Sequence, residues 1–431
     1  MIFEPELETM PREKLAALQL ERLQQLVTYV RERVELYRDR LDGIPEIRSL
    51  EDLRRLPFTR KADLRDTYPF GLIAVPLEDC VRLHASSGTT GKPIVVAYTR
   101  EDVDLFARVN ARVLAMAGAE PGMMLHNAYG YGLFTGGLGL HYGGERLGVT
   151  VVPVSGGMTE RQLVLIQDLR PDVITCTPSY ALTLAQAFAE RGVAPDEISL
   201  RFACVGAEPW TESMRERIDA GLGIQSTNIY GLSEIIGPGV SNECIEARDG
   251  SHVNEDHFLP EIVDPDSGEP LPDGEQGVLV FTTLTKQALP LVRYWTGDIT
   301  SLSRESCSCG RTLARMALIA GRTDDMLIVR GVNVYPSQVE SVLLRVPELT
   351  PHYRLVVTRD DTLDAVEVQV EVAESHFGRD SGELRPLEER VEHLIRETIG
   401  TSMRVSVLPP GQGPRSEGGK LARVDDRRQL A

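Results

Sequence analysis

Positive charge is in short supply. Lys and Arg number 46 against 64 Asp and Glu, a formal net charge of −18 over 431 residues. Phosphate backbones and anionic membranes are held by basic surfaces, so a general nucleic-acid or membrane-surface binder is not expected. A small anionic ligand, which needs only local donors, remains open. Long apolar runs are missing too, and none approaches the roughly 20 residues a bilayer-spanning helix needs. The opening MIFEPELETMPREK has no basic stretch leading into an apolar core, so no export signal is expected. The six cysteines are too sparse for a disulfide scaffold, and a reduced, cytoplasmic chain is expected.

What is present is 42% hydrophobic and 26% charged residues, the composition of a globular protein with room for two or three domains. Residues 12–41 place Leu15, Leu18, Leu23, Leu26, Val27, Val30, Val34 and Tyr37 at helical spacing, which predicts one amphipathic helix packed on the main body. From about residue 120, short apolar strands alternate with helices: GMMLHNAYG, VTVVPVSGG, PDVITCTPS, LRFACVGAEP and QSTNIYGLSE are the strands. That alternation predicts a parallel sheet covered on both faces. Ligands of such sheets sit beyond the carboxyl ends of the strands, so NAYGYGLFTGG, TPSY, VGAEP and YGLSE should line one cleft. Past Gly321 the order β-α-β-β-α-β suggests a compact α+β unit. The Gly- and Pro-rich tail PPGQGPRSEGGKLARVDDRRQLA reads by default as a loose terminus.

One segment stands out for its donors: Ser86, Ser87, Gly88, Thr89, Thr90, Gly91 and Lys92 lie side by side. A mobile turn and a phosphate cradle are both open readings. A Walker A loop is excluded, because only two residues separate Gly88 from Gly91 and Pro93 follows the lysine.

SSGTTGKP (86–93), YGLSE (230–234), YWTGD (294–298) with GRTDDMLIVRG (321–331), and GGK (418–420) together resemble the AMP-forming adenylating enzymes: acyl-CoA synthetases, adenylation domains of peptide synthetases and luciferases. HNAYGYGLFTGGLGLHYGGERLG, PVSGGMTERQ, CTPSYAL, GAEPWTE, EDHFLPEIVDP and RGVNVYPSQVE are similar to the phenylacetate–coenzyme A ligases, compact members of that superfamily. The resemblance covers the whole chain. It implies an α/β fold: a large N-terminal adenylating domain (1–323), with mostly parallel sheets covered by helices, and a small mobile α+β lid (324–431). It also implies a two-step reaction in which a carboxylate and ATP give an acyl-adenylate and pyrophosphate, and coenzyme A then displaces AMP.

Residue roles follow from the resemblance, position by position. Ser87, Thr89, Thr90 and Lys92, with Gly88 and Gly91, would grip the β- and γ-phosphates, although Ile94 and Val95 stand where many relatives have Lys-Gly. Glu234 would hold Mg²⁺, an ion that takes oxygen donors, and Ser233 stands where many relatives have Thr. Gly206, Ala207, Glu208, Pro209 and Tyr230 would surround the adenine, and Gly231 would belong to the ATP-binding set. Asp298 would accept from both ribose hydroxyls and Arg322 would reach ribose or phosphate, while Trp295 replaces an Arg many relatives carry. Asp324 matches the hinge and Gly331 the passage for the pantetheine arm. Lys420 matches the mobile catalytic lysine bridging the attacking carboxylate and the α-phosphate. Tyr131, Phe134, Gly136 and Pro178 are expected to form the acid pocket, with Tyr129, Tyr131 and Phe134 individually readable as core aromatics.

Cys244, Cys307 and Cys309 with His252 form a candidate four-ligand structural zinc site, with His257 the rival imidazole. Free thiols on loops are the other reading. The leading functional expectation is ligation of phenylacetate, or a close arylacetic acid, to coenzyme A with ATP and Mg²⁺. Alternatives are a ligase for benzoate, an aminobenzoate or indoleacetate, an enzyme loading a carrier protein, and a nonenzymatic nucleotide-binding scaffold. The expected partners are small molecules, with no nucleic acid and no membrane, and the family leads one to expect a homodimer.

Overall fold

Helix α1 (Arg12–Arg33) turns its leucine and valine face inward, burying Leu15, Leu23, Leu26, Val27 and Val30. The computed structural model describes residues 1–86, 93–323, 327–329, 332–360, 363–377, 384–415 and 423–427. The single helix expected over 12–41 is two pieces. Val34 is extended and buried, and the chain resumes as a short helix at Glu35–Arg40. A β-branched residue seated in the core is well suited to that break.

A hairpin of β1 (Arg82–Ala85) and β2 (Val95–Tyr98) precedes α2 (Arg100–Met116), which starts at a capping box: Thr99 and Asp102 each accept the other's backbone N–H. Then comes the alternating part: β3 (Met124–Asn127), α3 (Gly136–Leu147), β4 (Thr150–Val152) and α4 (Thr159–Leu169). It continues with β5 (Val173–Cys176), α5 (Pro178–Glu190), β6 (Phe202–Gly206), α6 (Glu212–Leu222) and β7 (Gln225–Leu232). Every residue of β5 is buried, as a strand covered on both faces must be. Strands β4, β3, β5, β6 and β7 pair in parallel in that order. Thr177 and Thr211 cap α5 and α6, accepting from Tyr180 and Met214 N–H, so helix starts cluster at the carboxyl end of this sheet.

The sheet then changes sense. The antiparallel strands β8 (Gly237–Glu243) and β9 (Ser251–Val253) extend its edge. A second, antiparallel sheet contains β10 (Phe258–Val263), β11 (Gly277–Thr283) and β12 (Tyr294–Thr300). The chain returns to the edge of β9 through β13 (Leu302–Ser303) and β14 (Arg315–Met316), completing nine strands, and β15 (Gly321–Arg322) closes the second sheet against β12.

From Leu327 onward the residues gather a hydrophobic core of their own, including Val339, Leu343, Tyr353, Val368 and Ile395. The topology departs from the expected β-α-β-β-α-β. β16 (Leu327–Val329) forms a separate hairpin with β17 (Val332–Val334). After α7 (Pro336–Leu343) come β18 (Leu349–Asp360), β19 (Leu363–Val372), α8 (Leu384–Ile399) and β20 (Arg404–Leu408). The fourth strand of this sheet, β21 (Val424–Asp426), comes from the tail and pairs parallel to β18. The tail therefore is not loose at this point: a strand edge supplies partners for its backbone N–H and C=O groups. α7 faces the first part of the chain, where Ser337 donates to the Ala320 carbonyl at 2.7 Å and Leu344 joins the core beneath α4, α5 and α6. Among the described residues no helix is long and apolar enough to cross a membrane.

Candidate active site at the carboxyl ends of the parallel strands

The segments after β3, β5, β6 and β7 do converge. Asn127, at the end of β3, accepts from Thr175 of β5 at 2.9 Å. Tyr129, in the next turn, donates to the Gly206 carbonyl at the end of β6 at 3.1 Å. Glu208 accepts from the backbone N–H of Ser179 at 3.4 Å, joining the 206–209 segment to the start of α5 beside Pro178. Ala207 takes a left-handed backbone conformation (φ +69°), reversing the chain beyond the strand end.

At the end of β7 the Tyr230 hydroxyl donates to Asp298 Oδ2 at 2.6 Å. Asp298 Oδ1 accepts from Arg322 at 2.5 Å, and the same guanidinium reaches the Thr296 carbonyl at 3.2 Å. Register explains the meeting, since Asp298 of β12 stands directly opposite Arg322 of β15. Burial, with the Asp298 charge adding to it, pushes the Tyr230 phenol well above its usual range, so it stays a donor at neutral pH. Both Asp298 oxygens already accept one hydrogen bond from the protein. A carboxylate oxygen accepts two, so Asp298 can serve a ligand hydroxyl only with its remaining lone pairs.

Glu234 and Ser233 are buried just past β7. Glu234 Oε1 accepts from the Tyr294 hydroxyl at 3.3 Å, and its carbonyl accepts from Lys286 Nζ at 3.1 Å. Lys286 is fully enclosed and lies over the Tyr98 ring, 5.0 Å from its centroid. Burial lowers its ammonium to about 8, opposed by the charges of Asp102 and Glu234. A buried carboxylate with one long side-chain hydrogen bond among the described residues suits a hard cation that takes oxygen donors. Lys286 and Tyr294 were not anticipated from the sequence. Tyr294 lies within the YWTGD motif, but no local pattern marks Lys286.

The residues expected at the acid pocket divide. Tyr129 is a core aromatic, almost wholly buried. Tyr131 is half-buried, its hydroxyl accepting from Asn127 Nδ2 at 2.7 Å and lying 3.1 Å from His141 Nδ1, and burial pushes its phenol up to about 12. At Gly136 the room left by the missing side chain is taken by a protein ring: a Cβ there would stand 2.4 Å from Phe134 Cε1. Gly136 thus lets Phe134 fold back over the start of α3.

Ser87, Gly88, Thr89, Thr90, Gly91 and Lys92 lie outside the described residues, as do Asp324, Gly331 and Lys420. Their flanks are described. The 87–92 segment springs from a closed stem, where Ser86 N–H donates to the Ile94 carbonyl at 2.9 Å and Ile94 N–H to Ser86 Oγ at 3.1 Å. Ala85 N–H and His84 Nδ1 both contact the Leu133 carbonyl, which sets that stem beside the 131–136 turn. The residues on either side of 416–422 are paired. Arg415 makes a two-pronged pair with Glu371 (2.9 and 2.8 Å). Arg423 pairs with Glu340 at 3.0 Å and lies over the Tyr353 ring. Burial pushes Glu340 up to about 7, with Arg423 opposing and the Glu208 charge adding.

His257, the rival imidazole, is 3.1 Å from Asp256 and 2.8 Å from Thr285 Oγ1. His252 faces the three cysteines.

Residues 29–284 match the AMP-binding enzyme family and residues 331–428 the AMP-binding enzyme C-terminal domain. A phenylacetate–coenzyme A ligase of Thermus thermophilus is 65% identical, with 100% of both chains covered. One of Aromatoleum evansii is 51% identical over 98% of this chain and 96% of its own. Among solved structures, a 2-hydroxyisobutyryl-CoA ligase bound to 2-HIB-AMP in the postadenylation state is 28% identical. It covers 99% of this chain and 92% of its own, with a TM-score of 0.92. The same ligase with CoA in the thioesterification state gives a TM-score of 0.73 at 29% identity and the same coverage.

Proposed function

Because the chain belongs to the AMP-binding enzyme family, and within it to the phenylacetate–coenzyme A ligases, we propose that it joins phenylacetate, or a close arylacetic acid, to coenzyme A at the expense of ATP. The acid carboxylate attacks the α-phosphate, pyrophosphate leaves, and the coenzyme A thiolate displaces AMP from the acyl-adenylate. The observation that carries the reading is the Tyr230–Asp298–Arg322 set. It offers an aromatic face, a carboxylate with free lone pairs and a guanidinium at the carboxyl ends of β7 and the segments beside it, which suits adenosine.

Joining two anions requires their charges to be neutralised and their reacting atoms held in line. In this reading the 87–92 stretch grips the β- and γ-phosphates with Ser87, Thr89, Thr90 and Lys92. Gly206, Ala207, Glu208 and Pro209 border the base, while Tyr131, Phe134 and Pro178 border the aryl ring. Glu234, backed by Tyr294 and Lys286, would hold Mg²⁺, which supplies charge neutralisation on the phosphates. Residues 324–431 act as a lid against 1–323, with Asp324 at the hinge and Gly331 beside the pantetheine path. The better superposition on the postadenylation state of the 2-hydroxyisobutyryl-CoA ligase supports a lid disposition like that one here. The proposal also includes a cytoplasmic location and a homodimer, and a zinc ion at the Cys/His cluster is argued below.

Acid-dependent exchange of labelled pyrophosphate into ATP, run with phenylacetate, benzoate, 2-aminobenzoate and indoleacetate, is expected to give phenylacetate the highest specificity constant. A win for another acid moves the assignment to it, and product analysis with coenzyme A separates a ligase from a carrier-loading enzyme. Asp298→Asn is expected to raise KM for ATP about tenfold or more, since hydrogen bonds to charged groups contribute about 1.5–3 kcal/mol. KM for the acid should hardly move, and initial rates over an ATP series check both.

A further inference from the structure

On the edge of the nine-stranded sheet away from the β3–β7 strand ends, four side chains point at one spot. Cys244 directly follows β8, His252 lies in β9, and Cys307 and Cys309 lie in the connection between β13 and β14. Their ligand atoms all fall within 4.8 Å of one another. Cys244 and His252 are fully buried. We propose that Cys244, His252, Cys307 and Cys309 bind one structural zinc ion that clamps the 304–313 loop, and through it the N-terminal segment, to the sheet edge.

Two of the spacings match the edges of a metal tetrahedron. Zn–S bonds of about 2.3 Å and Zn–N bonds of about 2.05 Å imply S···S edges of about 3.8 Å and S···N edges of about 3.6 Å. Cys244 Sγ and Cys307 Sγ are 3.6 Å apart, and Cys309 Sγ and His252 Nε2 are 3.4 Å apart. A disulfide would need about 2.05 Å between sulfurs. The surroundings also suit a ligand shell. His252 Nδ1 faces the Leu313 carbonyl at 3.3 Å, which keeps the proton on Nδ1 and frees the Nε2 lone pair for the metal. Arg311 N–H points at Cys309 Sγ at 3.5 Å, a donor that favours thiolate. Gly310, at φ +85°, lets the loop turn back just after Cys309, a conformation other residues rarely adopt. Three thiols and one imidazole in a tetrahedron select zinc, and four protein ligands leave no open position for catalysis.

What the clamp would hold is also visible. Arg311 donates to Glu8 Oε2 at 2.6 Å and to the Met1 carbonyl at 2.7 Å. Thr312 adds a hydrogen bond to the Glu8 carbonyl at 3.1 Å and one to the Met10 carbonyl at 2.6 Å. The residues that seat the N-terminal segment thus follow the last cysteine by two and three positions. A metal here fixes the loop, and the loop fixes the segment.

The inference does not depend on the proposed ligase chemistry. Full-length protein purified without chelator or added metal is expected to carry about one zinc per chain, released only on unfolding or prolonged chelation. Cys309→Ser is expected to lose the metal and melt at lower temperature, because an ion bound only by the folded state stabilises it. It should also make residues 1–10 more susceptible to proteolysis. Should that variant fail to fold, wild-type protein stripped under reducing conditions and refilled with Co²⁺ is expected to show the visible bands of tetrahedral thiolate ligation. Metal content that Cys309→Ser leaves unchanged, absence of those bands, or a Cys244–Cys307 disulfide by mass under non-reducing conditions would each overturn the proposal.

Discussion

Lys420→Ala should lower acid-dependent ATP–pyrophosphate exchange by about a hundredfold or more while leaving thioester formation from supplied acyl-adenylate largely intact. The split follows from charge. In the first half-reaction a carboxylate approaches an α-phosphate, and negative charge is redistributed between them as pyrophosphate leaves. A cation aimed at that junction favours the transition state over the ground state, and a preorganised donor of this kind contributes about 3 kcal/mol. In the second half-reaction a thiolate meets an already neutralised acyl carbon, so the same cation has little left to stabilise. Lys420 lies outside the described residues, and on either side of it Arg415 pairs with Glu371 and Arg423 with Glu340. Exchange and thioesterification measured separately on the variant decide it, and equal loss in both would remove Lys420 from this role.

Arg112→Met should be the most damaging substitution for stability outside the site. Arg112 is fully buried and makes a two-pronged pair with the equally buried Asp256, at 2.7 and 3.0 Å, and also contacts Glu4 and Asn254. Burial alone would raise the Asp256 carboxyl, yet the neighbouring cationic groups, Arg112 among them, hold it well below its usual range. Taking away the guanidinium leaves a buried carboxylate without its two-pronged partner, with His257 at 3.1 Å and Arg22 at 3.9 Å. Breaking a buried pair in this way costs about 3–5 kcal/mol. The urea midpoint and the melting temperature should both drop, and Asp256→Leu added to Arg112→Met should recover part of the loss, because the stranded charge is gone. A single variant as stable as the parent would show that the pair is not what holds α2 to the chain around residue 256.

Much of this was legible in the chain. The strand-turn-helix rhythm between residues 120 and 232 predicted the parallel sheet and the convergence of the segments beyond its carboxyl ends, because apolar runs are written locally. YGLSE and YWTGD were visible as short motifs, and the structure brings Tyr230 of the first against Asp298 of the second. The break at Val34, the use of β16 in a hairpin and the capture of residues 424–426 as a strand were not legible. Each depends on which surface the segment meets, and a three-residue strand has no period of its own to read.

By itself, then, the order of residues settled the α/β class, the family and most of the elements between residues 120 and 232, since these rest on preferences within a few positions. The folded chain decided the pairings: Lys286 behind Glu234, Arg112 with Asp256, Asp298 shared between Tyr230 and Arg322, and His252 rather than His257 among the thiols. Those partners are separated by 24 to 144 residues where the bonds are direct. Only strand register and the packing of one sheet edge against distant loops bring them within bonding reach, and neither has a local signature in the chain.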